Sequence, residues 1–275
     1  MKKKKILFNI VKVVLLTIAA IFFISPFLMV VLNSFKTTKE FLENPLALPA
    51  VFDLTNFKIA FEKMRFLTGF TNTLIITSIS VLFITLFSSM QAYALVRNKT
   101  KLSKIIFIIM VASMIIPFQA IMIPLVKVYG SIGFLNSKES LIYMYMGFGA
   151  SLAVFIYHGF IKSIPVELEE AAMIDGCSRR RTFFSVVFPL LKPTTMTVAI
   201  LDILWIWNDF LLPSLVLITP AQRTLPLSTY YFFGTYTVDY GLLMAGLMMT
   251  ILPVVIIFIF MQKYIISGVM QGSIK

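Results

Sequence analysis

Residues 170–193 read EAAMIDGCSRRRTFFSVVFPLLKP. They form most of the longest charged island in a chain that is otherwise made of long apolar runs. Glu167, Glu169, Glu170, Asp175, Arg179, Arg180 and Arg181 fall within 15 residues. Pro165 suits the first turn of a helix. The glutamates after it favour the positive end of the helix dipole, and Ala171 and Ala172 add helix propensity. Gly176 permits a sharp turn, and Ser178 can cap a second short helix with a basic face from Arg179 to Arg181. Phe183, Phe184, Val187 and Phe188 make an apolar stripe at helical spacing, and Pro189 and Pro193 mark the return to the apolar runs. The segment therefore predicts helix–turn–helix outside a bilayer, a docking surface for a soluble partner. The rival readings are a plain solvated loop or a helix resting on lipid headgroups.

Working outward, the composition makes the bilayer the solvent. The 275 residues are 59% hydrophobic and 13% charged, against about 45–50% apolar and about 25% charged for a soluble globule. A membrane-crossing helix needs roughly 20 apolar residues. Barrel strands would alternate over about 10, and the runs here are longer and apolar on all sides. The expectation is an all-α membrane protein with six spans, at about 10–32, 70–96, 105–126, 140–161, 194–217 and 240–263. Residues 1–9 precede them, 162–193 form the charged loop, and 264–275 are a tail.

The net charge of +12 does not point to nucleic acid, because the cations sit at the ends of apolar runs, as membrane orientation requires. With the N-terminus inside, 16 of the 24 Lys and Arg residues lie on inner segments and 8 on outer ones, which favours both termini in the cytoplasm. The first apolar run, from Ile6 to Leu32, is too long for a cleavable signal and reads as an uncleaved span. One cysteine (Cys177) and one histidine (His158) leave little for metal or nucleophilic catalysis. No G-x-x-x-x-G-K-[ST] phosphate loop is present in the sequence, so ATP hydrolysis would need another chain.

Intramembrane polar residues default to functional candidates. The fifth expected span carries Asp202, Asn208 and Asp209 among Trp205 and Trp207. Aromatic faces suit sugar C–H surfaces, and carboxylates and amides suit hydroxyls, so these residues are substrate-path candidates, with interfacial and helix-capping roles as alternatives. Pro117 and Pro124 interrupt the third span and are gate candidates, with Gln119 between them a further path candidate. The outer loop 219–239 holds Arg223, Tyr230, Tyr231, Phe232 and Tyr236, an aromatic, polar-rimmed set that suits a protein partner or an aromatic belt.

The loop resembles the EAA loop of the membrane subunits of ATP-binding-cassette importers: E-A-A, three residues, a glycine, then a hydrophobic stretch ending in proline. NSFKTTKEF (33–41), NTLIIT (72–77), IIPFQAIMIPLVKVYGSIGFLNS (115–137), WNDFLLPSLVL (207–217) and LPVVIIFIFMQKYIISGVMQGSIK (252–275) are similar to the carbohydrate-uptake branch, in the manner of the smaller membrane subunit of the maltose system. The resemblance covers nearly the whole chain. It implies the type I importer fold, and a permease subunit that pairs with a second, homologous permease. It also implies two ATPase subunits carrying ATP and Mg, an external solute-binding protein and a sugar substrate, in the cell membrane. The coupling residues it implies are Glu169, Glu170, Ala171, Ala172, Asp175, Gly176, Arg179, Phe183 and Pro189, with Arg223 and the outer aromatics touching the binding protein. It implies no catalysis, resident cofactor or metal on this chain. The runner-up is an ion-gradient-driven secondary transporter, which would usually carry more intramembrane carboxylates. A membrane enzyme is a third class, and it lacks a catalytic cluster.

Overall fold

The computed structural model describes residues 2–234 and 238–273, and apart from one isolated bridge between Phe233 and Val238 their regular structure is helical. In chain order the helices are α1 (Lys2–Asn33), α2 (Thr38–Glu43), α3 (Thr55–Lys63), α4 (Phe66–Arg97), α5 (Lys101–Ser113), α6 (Phe118–Ser131) and α7 (Lys138–Ile161). Then come α8 (Glu167–Ile174), α9 (Arg179–Thr182), a π-helical turn over Phe183–Val187, α10 (Phe188–Leu190), α11 (Lys192–Asn208), α12 (Leu211–Val216), α13 (Leu225–Ser228) and α14 (Tyr240–Ser273). Four helices are long and apolar enough to cross a membrane: Phe8–Asn33, Phe66–Arg97, Lys138–Ile161 and Tyr240–Phe260. Two bent pairs pass the same test, Lys101–Ser113 with Phe118–Ser131 at 102° and Arg179–Leu190 with Lys192–Asn208 at 75°.

The chain forms two compact units, one of Met1–Leu67 with Ser228–Pro253 and one of Thr68–Leu227 with Val254–Lys275. In the first, the segment after α1 is held by side-chain amides that satisfy loop carbonyls. Asn33 Nδ2 donates to Pro45 O at 3.0 Å, and Asn56 Nδ2 donates to Ser34 O at 3.0 Å and Lys36 O at 2.8 Å. Lys36 is buried, and its Nζ donates to Asn44 O. A capping box starts α2: Thr37 Oγ1 accepts from Glu40 N while Glu40 accepts from Thr37 N. Those Thr37 hydrogen bonds hold the Glu40 carboxyl below its usual range. Phe41 stacks on Tyr240 with ring centroids 4.6 Å apart.

The approach of α14 to this loop depends on Gly241. A Cβ there would sit against the Lys36 carbonyl oxygen and 3.1 Å from Asn56 Nδ2. Backbone atoms cannot swing aside as a side chain can. Gly241→Ala is therefore expected to destabilise this unit by about 1–3 kcal/mol, read as a lower Tm of the purified membrane protein. An unchanged Tm would mean that the contact can relax.

In the second unit the buried positions of α4 recur every three or four residues, through Thr73, Ile76, Thr77, Ser80, Ile84, Ser88 and Ala92. That stripe is rich in small and hydroxyl side chains, as suits close helix packing in lipid. On α7 the matching face carries Leu141, Tyr145, Gly149, Ala153 and Tyr157. At one end of the unit Asn72 bridges three segments: its Nδ2 donates to Ala221 O and Arg223 O, and its Oδ1 accepts from Lys138 Nζ at 3.2 Å. Asn136, in the left-handed region at φ 58°, accepts from the amides of Ile218 and Thr219.

Two of the expected spans are broken, while α1 starts at Lys2 and α14 runs on to Ser273, beyond the spans expected at 10–32 and 240–263. The run expected at 105–126 breaks before Pro117, through a turn at Met114–Ile116, while Pro124 lies inside α6. Proline at the N-cap needs no donor, so the bend sits there rather than at Pro124. The run expected at 194–217 is two helices, α11 ending at Asn208 and α12 starting at Leu211, because Asp209 leaves helical geometry and its Oδ1 accepts from Leu211 N.

A latched charged loop and a cavity beside α11

The charged loop is built as the residue pattern suggests, with one inversion. Helix α8 starts at Glu167 with Glu167, Glu169 and Glu170 in its first turn. Gly176 takes φ +83°, a conformation that side chains other than glycine strain to reach. Ser178 caps α9 by accepting from Arg181 N. The inversion concerns Glu169. Expected as part of the exposed docking face, it is buried, at 3% exposure, as is Ala172 one turn on. Glu170, Ala171, Asp175 and Gly176 stay exposed. Helical phase explains the split: positions 169 and 172 share a face, and 167, 170, 171 and 174 share the opposite one.

Glu169 turns inward onto the last turns of α4. Tyr93 Oη donates to Glu169 Oε2 at 2.7 Å, and Arg97 Nε donates to Oε1 at 2.7 Å. The ion pair closes at 2.6 Å from Arg97 Nη2, with side-chain exposures of 17% for Arg97 and 4% for Glu169. Nη2 also donates to Ile164 O at 3.0 Å, so one guanidinium holds both α8 and the backbone leading into it. Phe183, expected as a coupling contact, packs on the same tyrosine with ring centroids 5.1 Å apart and is buried. In the sequence Arg97 marks only the end of the second span and Tyr93 has no assigned role, because they lie 72 and 76 residues from Glu169 and only folding brings them there. A tyrosine and an arginine four apart at the end of an apolar run was the available signal.

The surface left outward is apolar in part. Ile174, the last residue of α8, is 85% exposed, and Leu168, Met173 and Phe184 are also exposed. With Glu170 and Arg179, both exposed, this makes a face of mixed charge and hydrophobicity beside a sharp glycine turn.

Of the path candidates, two line a cavity of about 790 Å³ between the α5–α6 bend, α7 and α11: Asp202 and Trp205. The others have structural work. Asp209 accepts from Tyr145 Oη at 2.9 Å and from Leu211 N at 3.0 Å. Asn208 Nδ2 donates to Leu204 O in its own helix. Trp207 is buried edge-on to Phe70. Gln119 is exposed on α6 and does not line the cavity.

In the loop 219–239 Tyr230 and Tyr231 are exposed, but Phe232, expected beside them at the surface, is buried. A Cβ on Gly246 would lie 2.8 Å from its ring, so the glycine makes room for it. Arg223 is half-buried, and Tyr236 lies outside the described residues. His158 stacks on Phe107 with ring centroids 3.7 Å apart. Among the described residues no three His, Cys, Asp or Glu side chains group as metal ligands.

Residues 84–271, which include the latch, the loop and the cavity-lining part of α11, match the family of the binding-protein-dependent transport system inner membrane component. The chain belongs to that family. Its members are permease components of ATP-binding-cassette transporters, not enzymes in themselves. This permease is 50% identical, over 94% of both chains, to the probable starch degradation products transport system permease protein AmyC of Thermoanaerobacterium thermosulfurigenes. It is 36% identical to the multiple sugar-binding transport system permease protein MsmG of Streptococcus mutans, over 100% of both chains. It is 37% identical to the melibiose/raffinose/stachyose import permease protein MelC of Bacillus subtilis, over 91% of each. In fold it is similar to a chain of a bacterial ABC transporter involved in the import of the acidic polysaccharide alginate, with a TM-score of 0.81 at 22% identity, covering 94% of this chain and 96% of that one. Its fold is therefore the all-α fold of an importer permease.

Proposed function

We propose that this permease is the membrane subunit of an ATP-driven sugar importer, and that residues 162–193 take up the motion of two ATPase subunits. In this reading it pairs with a second, homologous permease and receives sugar from an external binding protein. It crosses the membrane six times, each bent helix pair counting once, with both termini in the cytoplasm. The observation that carries the coupling role is the two-sidedness of α8. Its Glu169 face is tied to α4 by charge-assisted bonds, and its Glu170–Ile174 face is left open to a partner. A helix fixed on one side and free on the other passes a push from the partner to α4 without slack. The bend ahead of Pro117 is the hinge that such a push would work on, and exposed Tyr230 and Tyr231 are the contacts offered to the binding protein. The named sugar systems among the relatives support the substrate class.

The test is capture from native membranes. The wild-type chain should bring down an ATPase and a second permease, and the purified assembly should couple ATP hydrolysis to uptake. Gly176→Pro should cut uptake at least tenfold, since proline fixes φ near −65° where +83° is required. Purification of the chain alone, with uptake driven by an ion gradient, would overturn the reading.

A further inference from the structure

The cavity beside α11 has a chemistry of its own. At about 790 Å³ it falls within the roughly 300–1,000 Å³ typical of small-molecule sites. Asp202 is buried, at 4% exposure, and its Oδ2 makes no hydrogen bond among the described residues. Buried polar atoms are nearly always partnered, so an orphan acceptor beside a cavity leaves a place for a donor. Trp205 stands one turn further along the same helix, half-exposed to the same space and its edge fixed by Tyr145 at a centroid distance of 5.4 Å. Ser113 and Ser151 add hydroxyls, hydrogen-bonded to each other at 2.8 Å, to the lining, and Tyr143 adds a phenol. Gly149 lies beside the carboxyl. A Cβ there would stand 2.6 Å from Ile84 Cδ1 and 3.5 Å from Asp202 Oδ1, so a larger residue would have to displace the Ile84 side chain beside that carboxyl.

Among the described residues no Lys, Arg or His lines the cavity. An anionic ligand there would be desolvated with nothing to compensate its charge. A polyol would find hydroxyl partners, an acceptor and an aromatic face. We propose that Asp202 and Trp205 form a subsite on this chain that takes neutral sugars and rejects anionic ones, with Asp202 the specificity-determining side chain. This rests on the sugar-importer reading and adds to it the charge class of the substrate.

The experiment uses the assembled transporter in nanodiscs without its binding protein, titrated with maltotriose and with trigalacturonate as probes, and binding is read by calorimetry. Wild type should bind maltotriose and show no heat with trigalacturonate. Asp202→Leu should weaken maltotriose binding by about tenfold, the worth of one good hydrogen bond, while ATP hydrolysis by the assembly persists. Should that variant fail to assemble, Trp205→Ala, at a half-exposed position, carries the same expectation. Maltotriose affinity unchanged in both variants, no maltotriose binding to the wild type, or wild-type binding of trigalacturonate would each overturn the subsite. Any of these results would leave ATP-driven uptake, and so the importer reading, standing. Loss of ATP-driven uptake of every sugar by the wild-type assembly would instead strike the importer reading.

Discussion

Arg97→Ala is expected to abolish coupling: ATP-driven uptake falls at least tenfold, although the ATPase subunits remain active. The guanidinium supplies two contacts to Glu169 Oε1 and one to Ile164 O. Removing it strands a carboxylate that is 4% exposed, and breaking one side of such a pair costs about 3–5 kcal/mol. Helix α8 has 8 residues, far too few to persist without tertiary support. A penalty of that size frees it from α4. The graded variants separate charge from position. Tyr93→Phe removes one hydrogen bond to a charged group and should cost about 1.5–3 kcal/mol at most. Arg97→Lys keeps the charge but cannot span both partners, so it should recover uptake only in part. The double variant Arg97→Met with Glu169→Leu exchanges the pair for apolar volume. By the same reasoning it should restore more uptake than Arg97→Ala alone, because no charge is left buried. Proteoliposome uptake and ATPase rate, measured side by side, decide the matter. Arg97→Ala with wild-type uptake would show that α8 does not need the latch.

The latch also marks how far the sequence carries. The charged island between apolar runs, its glycine turn at Gly176 and its cap at Ser178 were all legible, because each is a local rule: charge against hydropathy, φ above zero, a side chain reaching three residues ahead. What local rules cannot fix is helical phase. Glu169 and Glu170 are adjacent and chemically alike, and which one turns inward is decided by Tyr93 and Arg97, placed there only by folding. The same holds for the W-N-D segment. Asp209 and Asn208 look as fit for a ligand as Asp202 does, yet Tyr145 and the start of α12 occupy Asp209 while Asn208 bonds its own helix. Pro117 and Pro124 were both visible as interruptions, but proline at a helix start and proline inside a helix differ in consequence. Phe232 reads like its exposed neighbours until Gly246, on another helix, provides a slot for it.

Ile174 is where partner binding should show its largest single dependence. It is 85% exposed at the end of a helix outside the apolar runs. An isoleucine in that position gains about 1.5–3 kcal/mol if a partner covers it. Side chains that fill a partner's pocket reach the roughly 2 kcal/mol or more of an interface hot spot. Ile174→Asp should therefore weaken capture of the ATPase by about 30-fold or more. The fold should not suffer, since the side chain touches little of its own chain, and an unchanged Tm, consistent with a stability change of no more than about 0.5 kcal/mol for a surface substitution, is the control. That separates it from Arg97→Ala, in which coupling and local stability fall together. It also separates protein docking from a helix resting on lipid. Headgroup anchoring would make Ile174→Asp alter association with lipid and leave ATPase capture intact. Docking makes capture fall in detergent, where no bilayer is present. Loss of capture in detergent with an unchanged Tm identifies the exposed face of α8 as the surface that the ATPase grips.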